Sequence, residues 1–299
     1  MNNTVSILIP VKDWAHYLED LIQALAAQDC PQNIELVVVD SGSTDGSVEL
    51  LKALCGQHQI DLNLTVIEPS KFGHGSTRNL AVQKARGDIV ATLSQDALPI
   101  ANNWLAEMIG PLADDSVAGV FGRKVPEPGT NLCEALFCRL TYPEERRRIA
   151  GGDKSSFSNR SLFFSNVNGA LRKSLALAYP FREDLVMSED QLWGRSVLQE
   201  GYTIAYEPTA AAFHSNNYTL SELLKRFFKS GYSLRQMNMS GDLVLGGART
   251  TVTLLWKVLS VNPVRFPYAL LYEVVQATGF LCGKYDLLPR SIREALLKW

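Results

Sequence analysis

Four short clusters in this 299-residue chain hold the residue types that chemistry needs. In MSEDQLWGRS, residues 187–196, Glu189 and Asp190 stand side by side at a helix start, where the helix dipole favours their charged forms. One of them could take a proton from a hydroxyl, although acidic residues in a first helical turn are also common without such a task. In ATLSQDALPI, residues 91–100, Asp96 follows an apolar run. A single carboxylate there suits a hard divalent cation bridging two phosphates or, equally, the cap of a helix beginning near Ala101. In VVVDSGSTDGS, residues 37–47, Asp40 leaves a strand end for a tight turn of Ser41, Gly42 and Ser43, with Thr44 and Asp45 placed to cap the next helix. This is either a plain strand-to-helix loop or a cradle in which Asp40 accepts from a pyrimidine N–H while turn amides face a nucleotide. In KFGHGSTRN, residues 71–79, Gly73 and Gly75 flank His74 and permit close backbone approach, Lys71 and Arg78 add positive charge, and Asn79 can hydrogen-bond. That set suits a diphosphate better than a bare charged loop. His214, after AAAF, fits a structural imidazole or a metal ligand.

The elements that must position these clusters are legible as alternating patterns. Apolar runs at residues 5–9, 34–39, 62–67, 88–93 and 117–122 are rich in β-branched residues and read as strands buried on both faces. Between them, Asp13 reads as an N-cap for a stripe of Trp14, Tyr17, Leu18, Leu21, Ile22 and Leu25, and Val48, Leu51 and Leu54 repeat the pattern after Thr44 and Asp45. The order predicts an α/β, mostly parallel, doubly wound sheet whose ligand crevice lies at the carboxyl ends of the strands. Residues 126–161 are irregular apart from the amphipathic NLCEALFCRL, and read as an active-site loop in preference to a surface insertion. Regular structure resumes with FFSNVNGALR, a helix over about 188–200, and TIAYEP. From Leu220 the chain reads as helices mixing apolar and basic residues, so the expected organisation is an α/β domain over 1–219 and a helical region over 220–299.

Composition excludes several classes. A chain that is 46% hydrophobic and 20% charged with net charge −2 is an ordinary globular protein and no dedicated nucleic-acid binder, the run Arg146-Arg147-Arg148 notwithstanding. The five cysteines form no CxxC pair and read as reduced cytosolic thiols. The start MNNTVSILIPVKD lacks the basic and long apolar regions of a secretory signal, and no stretch reaches 18 uninterrupted apolar residues; residues 267–283 come nearest but carry Glu273 and Gln276.

Taken in chain order, PVKD, VVVDSGSTDGS, the Arg78-Asn79 pair, SQD, the Glu189-Asp190 pair followed by Trp193 and Arg195, and a late histidine resemble the inverting family 2 glycosyltransferases, over about residues 4–220. KFGHGSTRN, SQDALP and HSNNYT are most similar to bacterial rhamnosyltransferases that build O-antigen or other cell-surface polysaccharide. The resemblance implies the GT-A fold, a Rossmann-like mostly parallel sheet flanked by helices, here with a C-terminal helical extension. It implies donor-binding roles for Pro10, Asp40, Ser41, Lys71, Gly73, His74, Arg78, Ser94 and Gln95, and a metal site of Asp96 and His214 for Mg²⁺ or Mn²⁺. Asp190 matches the catalytic base, with Glu189 orienting the acceptor and Trp193 and Arg195 shaping its site. Ser94 stands where many relatives have the first Asp of the metal motif, which weakens the expected cation site by one carboxylate.

The implied reaction is a single displacement that inverts the anomeric carbon. The expected donor is dTDP-β-L-rhamnose, with a UDP-sugar as the alternative, and the expected acceptor a lipid-linked saccharide. Basic residues interleaved with Phe, Trp and Tyr after residue 220 suit peripheral contact with the cytoplasmic face of the inner membrane. A nucleotidyltransferase would need a basic glycine-rich triphosphate loop near the N-terminus, which the sequence lacks. A non-catalytic nucleotide-sugar-binding relative is the other alternative, motivated by Ser94.

Overall fold

The computed structural model describes residues 3–152, 164–237 and 242–297. Strands β1 (Thr4–Val11), β2 (Asn33–Asp40), β3 (Asp61–Val66) and β4 (Ile89–Leu93) alternate with helices α1 (Ala15–Ala26), α2 (Ser47–His58) and α3 (His74–Lys84). A short β5 (Leu98–Pro99) and α4 (Trp104–Ile109) lead into β6 (Val117–Val125), α5 (Leu132–Thr141), β7 (Arg147–Ile149), β8 (Asn168–Arg172), α6 (Lys173–Ala178), α7 (Glu189–Gln199) and β9 (Thr203–Phe213). The strands form one sheet in the order β3-β2-β1-β4-β8-β6-β9-β5, with β7 on β9.

The first four strands are parallel, as the alternation predicts; β8 then enters antiparallel between β4 and β6 and makes the sheet mixed. Side chains of successive strand residues face opposite layers. Ile7, Ile9, Leu36 and Val38 pack under Trp14, just before α1, and Leu18 and Ile22 of α1, while Leu8, Val37 and Val39 pack with Ala81 and Val82 of α3 and Trp193 and Val197 of α7. At the carboxyl end, Val11 pairs with Asp40, so the β1 and β2 loops leave the sheet together.

Those two loops hold each other, and this corrects the reading of Asp13 as the α1 cap. Asp13 has a left-handed backbone (φ 45°), which turns its carboxylate onto the Thr44 N–H at 2.8 Å. The N–H at the α1 start goes instead to Asp45, whose Oδ2 accepts from Ala15 at 2.9 Å. The helix expected near Ala101 starts at Trp104. Within the expected 126–161 loop, α5 and β7 are regular elements, and residues 153–161 lie outside the described residues. The arginine run is neutralised locally, Arg146 by Glu207 and Arg148 by Asp114.

The C-terminal helices are α8 (Leu220–Gln236), α9 (Asp242–Val261), α10 (Phe266–Tyr285) and α11 (Arg290–Leu297). Thr219 and Glu222 form a capping box at the start of α8. A third core joins Leu223, Leu254, Val258, Ala269 and Tyr272 of these helices to Cys133 and Leu136 of α5, which precedes the expected boundary at 219. Helices α8 and α10 cross closely: a Cβ on Gly231 would lie 2.1 Å from the Phe280 carbonyl oxygen, and one on Gly283 2.1 Å from that of Phe228. Only glycine permits that approach.

Candidate active site

The carboxyl ends of β1, β2, β4, β6 and β9 lie along one edge of the sheet, the edge where α/β proteins form their ligand crevice. On its β1–β2 side Asp40 is buried, and its carboxylate accepts the N–H groups of Gly42 and Ser43 at 2.9 and 2.8 Å and the Ser43 hydroxyl at 2.5 Å. A carboxylate has about four lone-pair sites, so capacity remains for a ligand N–H beside these bonds. Ser41 is buried with its Oγ unpartnered, and Pro10 lies half-buried in register with Val39. Gln95 accepts from the Lys12 N–H at 2.8 Å and donates to the Lys12 carbonyl at 3.2 Å, so its amide ties the ends of β1 and β4 together. Ser94 is half-buried beside it, and Lys71 is exposed on a short 3₁₀ turn.

Across the cleft, Asp96 Oδ1 faces His214 Nε2 at 3.5 Å. Burial pushes the imidazole down to about 4, Lys124 adding to the effect and Asp96 opposing it, so this is a neutral ring beside a carboxylate. Two ligands of one cation, each about 2.1 Å from it, lie roughly 3.0–3.4 Å apart. The spacing and the neutral ring therefore fit a shared divalent cation, completed by phosphate and water. Among the described residues no group of three or more His, Cys, Asp or Glu forms a metal cage. Glu127 is close enough that burial and the Asp96 charge raise its proton affinity.

The carboxylate pair is built by α7. Ser188, just before it, is held in the left-handed region (φ 65°), which non-glycine residues adopt at a cost. Asp190 is half-buried and accepts N–H groups from Asn166 at 3.1 Å and Gln191 at 2.8 Å. Burial and the neighbouring Glu189 charge outweigh those bonds and Arg78, and push its carboxyl up to about 6. Glu189 is clamped by Arg78 Nη1 at 2.7 Å and reached by Asn166 Nδ2 at 3.4 Å. The result is a charged partner held beside a carboxylate that binds and releases a proton near neutrality, the property a general base needs.

Several expected ligand contacts turn out to be internal. Arg78 is committed to Glu189 and not to the donor side, 111 residues from its partner in sequence. His74 lies edge-on to Phe72, and burial first, then Arg78, lowers it to about 3. A Cβ on Gly75 would lie 2.3 Å from the Arg182 carbonyl oxygen, so its close approach is to protein backbone; Gly73 is extended at the entry to α3. Asn79 bonds both backbone groups of Phe181, at 2.8 and 2.9 Å. Trp193 is 2% exposed and packs on Phe164 at 4.7 Å, so it is core beneath the carboxylates and no acceptor surface. Arg195 is half-buried and, five residues on, points about 140° around the helix from Asp190.

Asn166, Lys124 and Glu127 are absent from the sequence reading, and Arg226 enters it only as one basic residue of the C-terminal helices. The signal for Asn166 is the NVN pattern inside an apolar strand run. Helix α8 braces the site directly: Ser233 Oγ accepts from the Met187 N–H at 3.0 Å, two residues before Glu189.

Comparison with known proteins agrees with this arrangement. The sequence profile of glycosyl transferase family 2 matches residues 6–158. The chain is 31% identical over 268 residues to the O-antigen chain rhamnosyltransferase WbaN of Salmonella anatum, covering 87% of this chain and 83% of that one. It is 27% identical to the O-antigen chain rhamnosyltransferase RfbN of Salmonella typhimurium, over 96% and 92% of the two chains. In fold it is similar to the Pyrobaculum calidifontis mannosyltransferase PcManGT, solved with GDP-Man and Mn²⁺, with a TM-score of 0.66 at 18% identity over 94% of this chain and 87% of that one. It is also similar to S. aureus TarS 1–349 bound to UDP, with a TM-score of 0.56 at 15% identity over 95% and 91%. The mixed sheet flanked by helices is thus the GT-A fold, and the chain belongs to glycosyl transferase family 2 and is a glycosyltransferase.

Proposed function

We propose that the protein transfers L-rhamnose with inversion from dTDP-β-L-rhamnose to a hydroxyl of a lipid-linked saccharide during cell-surface polysaccharide synthesis. The observation that carries the reaction type is the Arg78-clamped pair, buried Glu189 with half-buried Asp190, facing a cleft whose far wall holds Asp96 and His214. The sugar assignment rests on the two rhamnosyltransferase-named relatives. Asp190 takes the proton of the acceptor hydroxyl as its oxygen attacks the anomeric carbon. Glu189, fixed by Arg78 and Asn166, orients that hydroxyl and sustains the proton affinity of Asp190. Asp40 and the β2 turn receive the base and ribose. Asp96 and His214 would hold Mg²⁺ or Mn²⁺, which when bound offsets the charge of the departing diphosphate. A catalytically idle relative is disfavoured, because a binding module gains nothing from a carboxylate tuned toward neutrality.

The test is calorimetric titration with dTDP, UDP, GDP and dTDP-rhamnose, each with and without Mg²⁺ or Mn²⁺. Metal-enhanced preference for the thymidine ligands is the expected result. Preference for UDP or GDP would overturn the rhamnose assignment, and binding indifferent to metal would remove the role of Asp96 and His214.

The helical region supports a peripheral site on the cytoplasmic face of the inner membrane. No helix among the described residues is long and apolar enough to cross a membrane. Yet, among the described residues of the whole chain, all but three of the exposed large apolar side chains lie between residues 252 and 292, among them Trp256 (70% exposed), Val264 (86%) and Tyr285 (56%), with Lys257 and Arg265 exposed beside them. Such a surface is far more apolar than scattered exposure gives. Co-sedimentation with vesicles containing phosphatidylglycerol checks this; protein that stays in the supernatant at low salt would exclude the membrane contact.

A further inference from the structure

Of the cations that the sequence offers for a phosphate, Lys71 is exposed on its 3₁₀ turn and Arg78 is bound to Glu189. Lys124 is half-buried and stacked over the Tyr142 ring, its ammonium 5.0 Å from the centroid. Arg226, on α8, stands differently. It is exposed, and its Nη1 donates to the Met187 thioether at 2.8 Å, a weak acceptor for a guanidinium. Among the described residues no carboxylate forms an ion pair with it, whereas Arg78, Arg86, Arg123, Arg146, Arg148 and Arg172 each have one.

Its position is fixed from several sides. Met187, whose Sδ the guanidinium meets, lies three residues before Asp190 in the chain. Its charge is also felt by His214 and Lys124 at the far wall, by His74 at the start of α3 and by Tyr218, with which it hydrogen-bonds. Arg226 therefore sits near His214 on one side and against Met187, ahead of α7, on the other, with Lys229 one turn further along the same helix. An exposed guanidinium fork near a metal-type pair complements a phosphate oxygen in shape and charge.

We propose that Arg226 is a diphosphate-binding residue, contributed to the cleft by the C-terminal helical region. Two diphosphates could meet it: that of the nucleotide sugar, or that of a lipid-linked acceptor. Both assignments rest on the function proposed above, whereas diphosphate recognition itself does not.

The first probe is inorganic pyrophosphate, titrated calorimetrically into the full-length protein without added metal, then into Arg226→Ala, Arg226→Lys and Arg290→Ala. Arg290 is an exposed control paired with Glu294 on α11. The expected result is about a 10- to 100-fold loss of pyrophosphate affinity in Arg226→Ala, a smaller loss in Arg226→Lys, which keeps the charge but not the fork, and none in the control. Unchanged thermal midpoints show that the variants are folded. Pyrophosphate that does not bind the parent protein, or binds Arg226→Ala equally, overturns the proposal.

Two further arms name the source. Weaker dTDP binding with unchanged thymidine binding assigns the donor diphosphate. Unchanged dTDP binding with a raised KM for the lipid-linked acceptor assigns the acceptor. A parent protein that binds pyrophosphate through Arg226 but no nucleotide would overturn the transferase reading and leave this inference standing.

Discussion

Glu35, fully buried, and Asp190, half-buried, are carboxylates of one helix–sheet sandwich, and their surroundings act on them in opposite directions. On the β1–β4 side, Glu35 accepts from the Ser6 hydroxyl at 2.5 Å, the Arg86 N–H at 2.8 Å and Asn63 at 3.2 Å, and pairs with the Arg86 guanidinium at 2.9 Å. Burial alone would raise its proton affinity, but those bonds prevail and lower it. On the β6–β9 side, Asp190 has two backbone N–H bonds, a burial cost and a negative neighbour, and its proton affinity rises. The N-terminal half of the sheet thus satisfies its own charges and behaves as a finished frame. The other half keeps a proton-binding group whose charged form is poorly compensated, which is where a reaction can use it.

The largest way to break this contrast is Asp190→Asn. Transfer is expected to fall about 10²- to 10⁴-fold with nucleotide binding preserved, measured as initial rates beside calorimetry. Folding raises the Asp190 pKa from 3.8 to about 6, so its charged form costs stability as pH rises through that window. The same variant should therefore be at least as stable as the parent at alkaline pH, read as the thermal midpoint. A large drop there would show that Asp190 is structural.

Glu35→Gln should do the reverse. A loss of about 1–3 kcal/mol of stability is expected at neutral pH, with transfer per folded molecule unchanged. Because folding lowers the Glu35 pKa, that difference is fully present above 4.5 and fades as pH falls through the depressed value. Denaturant titration at pH 7 and pH 3.5 tests the sign. The finest distinction is within the pair itself. Glu189→Gln removes the negative neighbour and should move the acidic limb of kcat/KM to lower pH, whereas Arg78→Met removes the positive one and should move it higher, each by roughly half a unit or more. Shifts of the same sign in both would sink the clamp.

What the sequence discloses divides along the same line. Strands β1 to β4 and the α1 stripe follow from patterns a few residues long, because the strands there are parallel and, apart from the half-exposed edge strand β3, largely buried on both faces. The carboxylate pair is likewise visible as a local motif. Contacts that cross the fold are not: Asp45 reaches α1 from the next loop, Arg78 meets Glu189, and Gly75 meets the carbonyl of Arg182. The reversed β8 is invisible for the same reason, since its apolar run reads identically in either direction. Trp193 misleads because it falls one turn after Glu189, where helical spacing places it on the inward face beneath the pair.

The glycine crossing of α8 on α10 has a mechanical consequence. Ser233 of α8 holds Met187 at the entrance to the catalytic motif, and Gly231 and Gly283 let α8 lie against α10 with no side chain between their backbones. Helices in such contact are separated by about 8 Å or less, and packed backbones compress little. Asp190 is therefore linked to the outer face of α10 through two stacked helices and no flexible tether. Whatever that face rests on, Asp190 stands above it at a set height, as a stylus stands above its bed.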